Sequence, residues 1–227
     1  MRGISSLNYR GKLLLSSYII KSKNYILNVK PRSYIKMDKS DAKKLLGEDF
    51  SFVFDNIDPV LQELKMEKNS KILDVGTGEG RMTITLALNN YHVLTGELES
   101  DESKYAKRNW LESAQKVEVD HLITYTPFDA EKMPFEDGSF DFIFIAGALH
   151  HINDGQAAYN ESVRVIKPKG KICIFEPNLR AIGTIREKKF ADHPDAVDPR
   201  DFNHVHKLSL EIKKTSFYDA YIFQKVN

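Results

Sequence analysis

From residue 71 to residue 175 the chain alternates short apolar runs with helix-length stretches, and few folds accept that pattern. Lys71 to Val75, Tyr91 to Leu98, Leu122 to Thr126, Phe140 to Ala146 and Lys171 to Phe175 read as strands. Arg81 to Leu88, Asp101 to Gln115 behind Ser100 as its cap, and Gly155 to Ile166 read as helices between them. Phe140 to Ala146 is almost wholly apolar, as a strand covered on both faces must be. Strands separated by helices pair in parallel through right-handed crossovers. The expected fold is therefore α/β, a doubly wound, mostly parallel sheet with helices on both faces, which binds its ligand at the carboxyl ends of the strands.

Outside this stretch the signals are more mixed. Asp58 as an N-cap and Pro59 at the first helical position are expected to open a helix through about Met66. Leu208 to Ile212 alternates like a strand, while Leu210 to Phe217 also fits a short helix, and Tyr218 to Val226 is the last strand in either case. Under the helix reading the sheet would lack a seventh strand and present an open edge. Ala191 to Phe202, rich in Asp and Pro, reads as a substrate-side loop or a solvated connector.

The net charge of +1 conceals an asymmetry, because residues 1–37 carry eight Lys or Arg and no acid. Gly11 to Val29, taken as a helix, gathers Leu15, Tyr18, Ile19, Ile26 and Val29 on one face, and Pro31 ends it. A capping helix is the plainer reading; a surface for anionic lipid or nucleic acid is the other. The expected division is 1–57 as a basic arm with capping helices and 58–227 as the ligand-binding domain.

A single cysteine, Cys173, excludes a disulfide framework and a cysteine-ligated zinc site, and fits a reducing, cytoplasmic setting. The apolar stretch Leu13 to Ile20 is far shorter than the roughly 20 residues that span a bilayer. Lys21 and Lys23 stand where a cleavable signal would place small residues.

The turn Asp74-Val75-Gly76-Thr77-Gly78-Glu79-Gly80 joins a strand to a helix, where absent side chains let the backbone approach a ligand. A dinucleotide fingerprint would put its third glycine at position 81, which is Arg81. The spacing is Gly-x-Gly-x-Gly behind an acid. Glu97 ends the second strand 23 residues after Asp74, and Phe128-Asp129-Ala130-Glu131 follows the third. Then come Asp137-Gly138-Ser139-Phe140-Asp141, Ala146-Gly147-Ala148-Leu149-His150-His151 and Lys167-Pro168-Lys169-Gly170. Together these resemble the class I S-adenosylmethionine-dependent methyltransferases, a Rossmann-like family, and among them the small-molecule group that includes the ubiquinone and menaquinone methylating enzymes.

That resemblance implies a set of roles. Asp74 and the turn Gly76, Thr77, Gly78 and Gly80 would hold the methionine end of S-adenosylmethionine, with the Ala146 carbonyl facing its amino group. Glu97 would accept from both ribose hydroxyls and Leu98 would lie against the adenine. Asp129, beside Ala130, would accept from the adenine amino group, although an aspartate there also serves as an ordinary turn residue. The methyl group would pass by direct displacement to a small-molecule acceptor.

His150 and His151 are the candidate catalytic pair. One reading makes one of them a base on a hydroxyl or thiol, and the other has them merely close a strand-to-helix loop. His204 and His206 are candidates for the same rim. No metal is expected. Ala146-Gly147-Ala148-Leu149 is not the Asn/Asp-Pro-Pro-aromatic run of nucleic-acid amino methyltransferases, and Cys173 sits in an apolar strand, so base N-methylation and covalent attack on a pyrimidine are both disfavoured. Two other functions stay open: a cofactor-binding subunit without turnover, and a protein or RNA methyltransferase docked through the basic arm. Peripheral membrane contact by residues 1–37 and homo-oligomerisation are also compatible with the sequence.

Overall fold

A computed structural model describes residues 37–102 and 109–225. The readings made for residues 1–36, the arm with its helix and its lipid or nucleic-acid surface, lie outside the described residues.

Seven strands form one sheet: β1 (Ile72–Val75), β2 (Val93–Gly96), β3 (Ile123–Tyr125), β4 (Phe140–Ala146), β5 (Ile166–Pro177), β6 (Ser209–Lys214) and β7 (Tyr218–Gln224). Their spatial order is β3-β2-β1-β4-β5-β7-β6. β1 to β5 run parallel, and β7 is antiparallel to both β5 and β6. The helices are α1 (Lys39–Leu46), α2 (Glu48–Glu63), α3 (Arg81–Leu88), α4 (Trp110–Lys116), α5 (Gly155–Val165) and α6 (Leu179–Lys188).

Alternation along the central strands sends side chains into two separate layers. Leu73, Val75, Ile143, Ile145, Ile172 and Ile174 pack with Tyr159 and Val163 of α5. Ile72, Phe144, Cys173 and Phe175 face the other way, against Val53, Ile57, Val60 and Leu61 of α2 and Met82 and Leu86 of α3. A sheet covered on both faces needs strands apolar at successive positions, and Phe142 to Ala146 of β4 and Ile172 to Phe175 of β5 meet that demand.

Two local expectations are corrected and one left open by the sequence is decided. Asp58 and Pro59 do not open a helix but lie inside α2, so the boundary drawn at residue 57 falls within an element. The apolar stripe Phe50, Val53, Phe54, Ile57, Val60, Leu61 continues through the proline, and its burial offsets the roughly 3 kcal/mol that an interior proline costs. Asp58 is instead a tertiary hub, accepting from Lys39 Nζ at 2.9 Å and Asn89 Nδ2 at 2.6 Å.

Asp101 and Glu102 are not helical, so the expected Ser100 cap has no helix directly behind it; residues 103–108 of the expected helix lie outside the described residues, and α4 spans Trp110–Lys116. Residues 209–214 form a strand rather than a helix, so the seventh strand is present. β6 is the exposed edge, and Glu211, Lys213 and Lys214 blunt it with charge.

Candidate cofactor and acceptor site

The strand order reverses at β1, whose neighbours β2 and β4 run on either side of it. Crossovers from the two halves leave a crevice at the carboxyl ends there. A cavity of about 1410 Å³ opens at that place.

The glycine turn forms one wall. Gly76 has φ +83°, and a Cβ on it would stand 2.7 Å from the Ala148 methyl; on Gly80, at φ +76°, a Cβ would stand 2.8 Å from Trp110 Cβ. Side chains are excluded at both positions by backbone conformation and by space. The Gly76 amide donates to the Gly96 carbonyl at 2.9 Å, which fixes the turn against the end of β2. The Gly78 amide donates to Glu97 Oε2 at 2.9 Å. The acid that follows β2 and the turn that follows β1 are thus one hydrogen-bonded unit, 19 residues apart in sequence.

Beneath the turn, Thr95 Oγ1 donates to Asp74 Oδ2 at 3.1 Å and therefore accepts from Thr77 Oγ1 at 2.9 Å. Asp74 is only 1% exposed and its Oδ1 has no partner. Burial pushes this carboxyl up to about 8; the Thr95 hydrogen bond opposes the shift and the nearby Glu97 charge adds to it.

A pH prediction follows from that shift. Between the ordinary value of 3.8 and about 8 the folded chain keeps a proton that the unfolded chain releases. Stability from this group is therefore full below the ordinary value and is lost as pH rises towards the folded value, at up to about 1.4 kcal/mol per pH unit. Asp74→Asn has no proton to lose. Thermal unfolding of the pair should show the wild type falling relative to the variant as pH rises from about 6 to about 8, then levelling. Parallel Tm curves would contradict the assignment.

The neighbouring wall is built by the segment after β3. Phe128 N donates to the Glu97 carbonyl at 3.1 Å, and Asp129 Oδ1 accepts from Glu131 N at 2.8 Å. Asp129 thus makes the ordinary turn bond while also lining the cavity. Leu98, 44% exposed, presents an apolar surface to the same space. Of the residues expected to hold the cofactor, Gly76, Thr77, Gly78, Glu97, Leu98, Asp129, Ala130 and Ala146 all line the cavity. Asp74 and Gly80 stand behind its wall and shape the turn.

The opposite side carries His150 and His151, on a short 3₁₀ turn after β4, together with His193 from the loop after α6. Their ring centroids are 4.2 Å apart for the first pair, and each lies 5.1 Å from that of His193. His150 Nδ1 is 2.7 Å from Glu176 Oε2, and both side chains are nearly inaccessible, at 1% and 2%. Burial, then the two neighbouring imidazoles, hold His151 down to about 3. It stays neutral near pH 7 and is a poor proton acceptor there. The Cys173 thiol is pushed up to about 12 by burial and is inert.

Two of these residues escape a sequence reading. Glu176 is a single acid ending the apolar run Ile172 to Phe175, and a charge at the carboxyl end of a buried strand is the signal that marks it. His193 falls in the loop expected on the substrate side and carries no local motif. His204 and His206 do not reach the rim: His206 Nε2 pairs with Asn160 Oδ1 on α5 and His204 Nδ1 with the Asp201 carbonyl.

Comparison with known proteins agrees with this geometry. A family model described as a methyltransferase domain matches residues 73–174. A 27-O-demethylrifamycin SV methyltransferase of Amycolatopsis mediterranei is 29% identical over 111 residues, 49% of this chain and 40% of that protein. A ubiquinone/menaquinone biosynthesis C-methyltransferase of Rickettsia massiliae is 30% identical over 125 residues, 52% of this chain and 49% of its own length. The chain thus matches about half or less of the length of these curated relatives.

Among solved structures, the PH0226 protein of Pyrococcus horikoshii superposes with a TM-score of 0.63 at 18% identity, covering 82% of this chain and 95% of that one. A SAM-dependent methyltransferase of Aquifex aeolicus gives 0.58 at 19% identity, covering 84% and 100%. At such identities the likeness speaks for the fold. Residues 73–174 thus match a methyltransferase-domain model, in a chain whose fold is shared by solved structures that include a SAM-dependent methyltransferase.

Proposed function

We propose that this chain transfers a methyl group from S-adenosylmethionine to a small-molecule acceptor by direct displacement. The observation that carries the reading is that one cavity contains both a nucleotide-type wall and a separate, chemically different wall. Its volume of about 1410 Å³ exceeds the roughly 300–1,000 Å³ of a pocket for one small ligand, so a cofactor and a compact acceptor fit together. Both relatives named above carry out methyl transfer by their names, one in rifamycin chemistry and one in quinone biosynthesis.

In this reading Glu97, oriented by the Gly78 amide, accepts from the ribose hydroxyls. Leu98 lies along the adenine, and Asp129 with Ala130 meets its edge. The Gly76, Thr77 and Gly78 backbone and the Ala146 carbonyl hold the methionine end. Asp74 and Gly80 act from behind, as positioning residues. The sulfonium is already activated, so the protein's task is to align the acceptor with the methyl–sulfur axis and to keep water out. His150, braced by Glu176, and His151 stand at the acceptor end, where Phe52 and Phe217 add apolar surface.

Among the described residues no helix is long and apolar enough to cross a membrane. A cytoplasmic location is part of this proposal, supported by the lone, buried Cys173. The test is labelled methyl incorporation from S-adenosylmethionine into a fractionated cell extract. Label in the low-molecular-weight fraction, reduced with a Glu97→Ala protein at limiting cofactor, is expected. Label confined to a macromolecular pellet, and lost on removal of residues 1–37, would replace the small-molecule acceptor by a protein or RNA. No label in any fraction would leave a cofactor-binding subunit.

A further inference from the structure

Three histidines meet at one point of the cavity although they come from two separate segments. Each of His150, His151 and His193 offers a ring nitrogen, and these atoms all lie within 4.8 Å of one another. His193 is 6% exposed and the other two are largely buried. Solvated faces do not gather three imidazoles in this way.

Hydrogen bonding orients two of the rings. His150 Nδ1 faces the Glu176 carboxylate at 2.7 Å, and His193 Nδ1 faces the Pro194 carbonyl oxygen at 2.9 Å. Neither oxygen has a proton to give when the carboxylate is ionised, so Nδ1 is the donor in both rings, and in the neutral tautomer it is Nε2 that carries the lone pair. His150 Nε2 is buried and has no hydrogen-bond partner. An acceptor of that kind costs free energy unless something fills its coordination.

A carboxylate or backbone carbonyl behind the far nitrogen is the support that metal-bound imidazoles receive. We propose that His150, His151 and His193 bind one divalent zinc-type ion, with Glu176 as the carboxylate that orients His150. Three imidazole ligands suit zinc and related transition ions better than magnesium or calcium, which take oxygen ligands. A tetrahedral ion bonded at about 2.0–2.1 Å needs ligand atoms about 3.3 Å apart. The atoms, now within 4.8 Å of one another, would draw closer on binding. Three protein ligands leave a fourth position, which the cavity makes available to water or to an oxygen or sulfur atom of the acceptor. The site stands on its own residues and does not depend on the methyl-transfer reading.

The test uses the full, untagged chain, stripped with a chelator and titrated with zinc under equilibrium dialysis, with elemental analysis of the protein. Cobalt in place of zinc adds visible absorption bands that report tetrahedral geometry. One equivalent of zinc is expected. His193→Ala, a loop substitution, and His150→Ala should each abolish stoichiometric uptake, and Glu176→Gln should weaken it about 10–100-fold. A double His204→Ala, His206→Ala protein should bind as the wild type does. Thermal unfolding of each variant establishes that it is folded. Substoichiometric zinc in the wild type, retention by folded His193→Ala, or loss in the His204/His206 variant would each overturn the site. S-adenosylmethionine binding, measured on the same samples, reports on the cofactor wall separately.

Discussion

Glu97→Ala is expected to weaken S-adenosylmethionine binding at least about tenfold while leaving the chain folded. Two hydrogen bonds from ribose hydroxyls to a carboxylate contribute roughly 1.5–3 kcal/mol each, and about 1.4 kcal/mol is already a factor of ten. The substitution acts twice in this structure, because Glu97 Oε2 also accepts from the Gly78 amide and so holds the turn in place. Glu97→Gln separates the two effects: its amide oxygen still accepts from Gly78 but can no longer offer a charged acceptor to the ribose. An intermediate loss is expected for Gln, measured by calorimetric titration beside Ala. Unchanged affinity in a folded Glu97→Ala protein would remove this residue from the site.

Gly96→Ala is expected to be the most damaging single substitution near the cavity, costing more than about 3 kcal/mol, the upper range for overpacking a rigid interior. A Cβ at Gly96 would stand 1.9 Å from the Thr126 carbonyl oxygen and 2.6 Å and 2.7 Å from two atoms of the Phe128 ring. The obstruction is backbone, which cannot rotate aside. Relief requires β2 and the segment after β3 to separate, breaking the bonds Thr126 N to Thr95 O and Phe128 N to Glu97 O. The same segments carry Glu97 and Asp129, so protein that still folds should also lose cofactor affinity. Chemical denaturation reads the first effect and calorimetry the second. Wild-type stability would show that the two strands are not packed as described.

The difference between these two positions also shows what a sequence reveals. Glu97 was legible, because an acid after the second strand at a fixed distance from a glycine turn is a pattern along the chain. Gly96 carries no such pattern, because its constraint comes from Thr126 and Phe128, some 30 residues away in the segment after β3. The central sheet could be read for the same reason that Glu97 could: the apolar runs of β1, β4 and β5 are dictated by burial on both faces.

Elsewhere tertiary contacts override or decide local chemistry. Asp58-Pro59 has the form of a helix start, yet the stripe from Phe50 to Leu61 packs continuously on the sheet and carries the helix through it. At 209–217 the two readings were balanced locally, and pairing of Leu210 with Phe223 and Ile212 with Tyr221 on β7 decided for the strand. The histidine cluster lies furthest from sequence logic. His150 and His151 are conspicuous as a pair, but Glu176 and His193 join them only through the fold.

The account as a whole rests on the wall formed by the turn at Gly76 to Gly78, Glu97 and Asp129. Its most direct test is calorimetric titration of S-adenosylmethionine into the full chain. One saturable site per chain is predicted, with S-adenosylhomocysteine competing for it. A folded protein giving only heats of dilution would contradict the account.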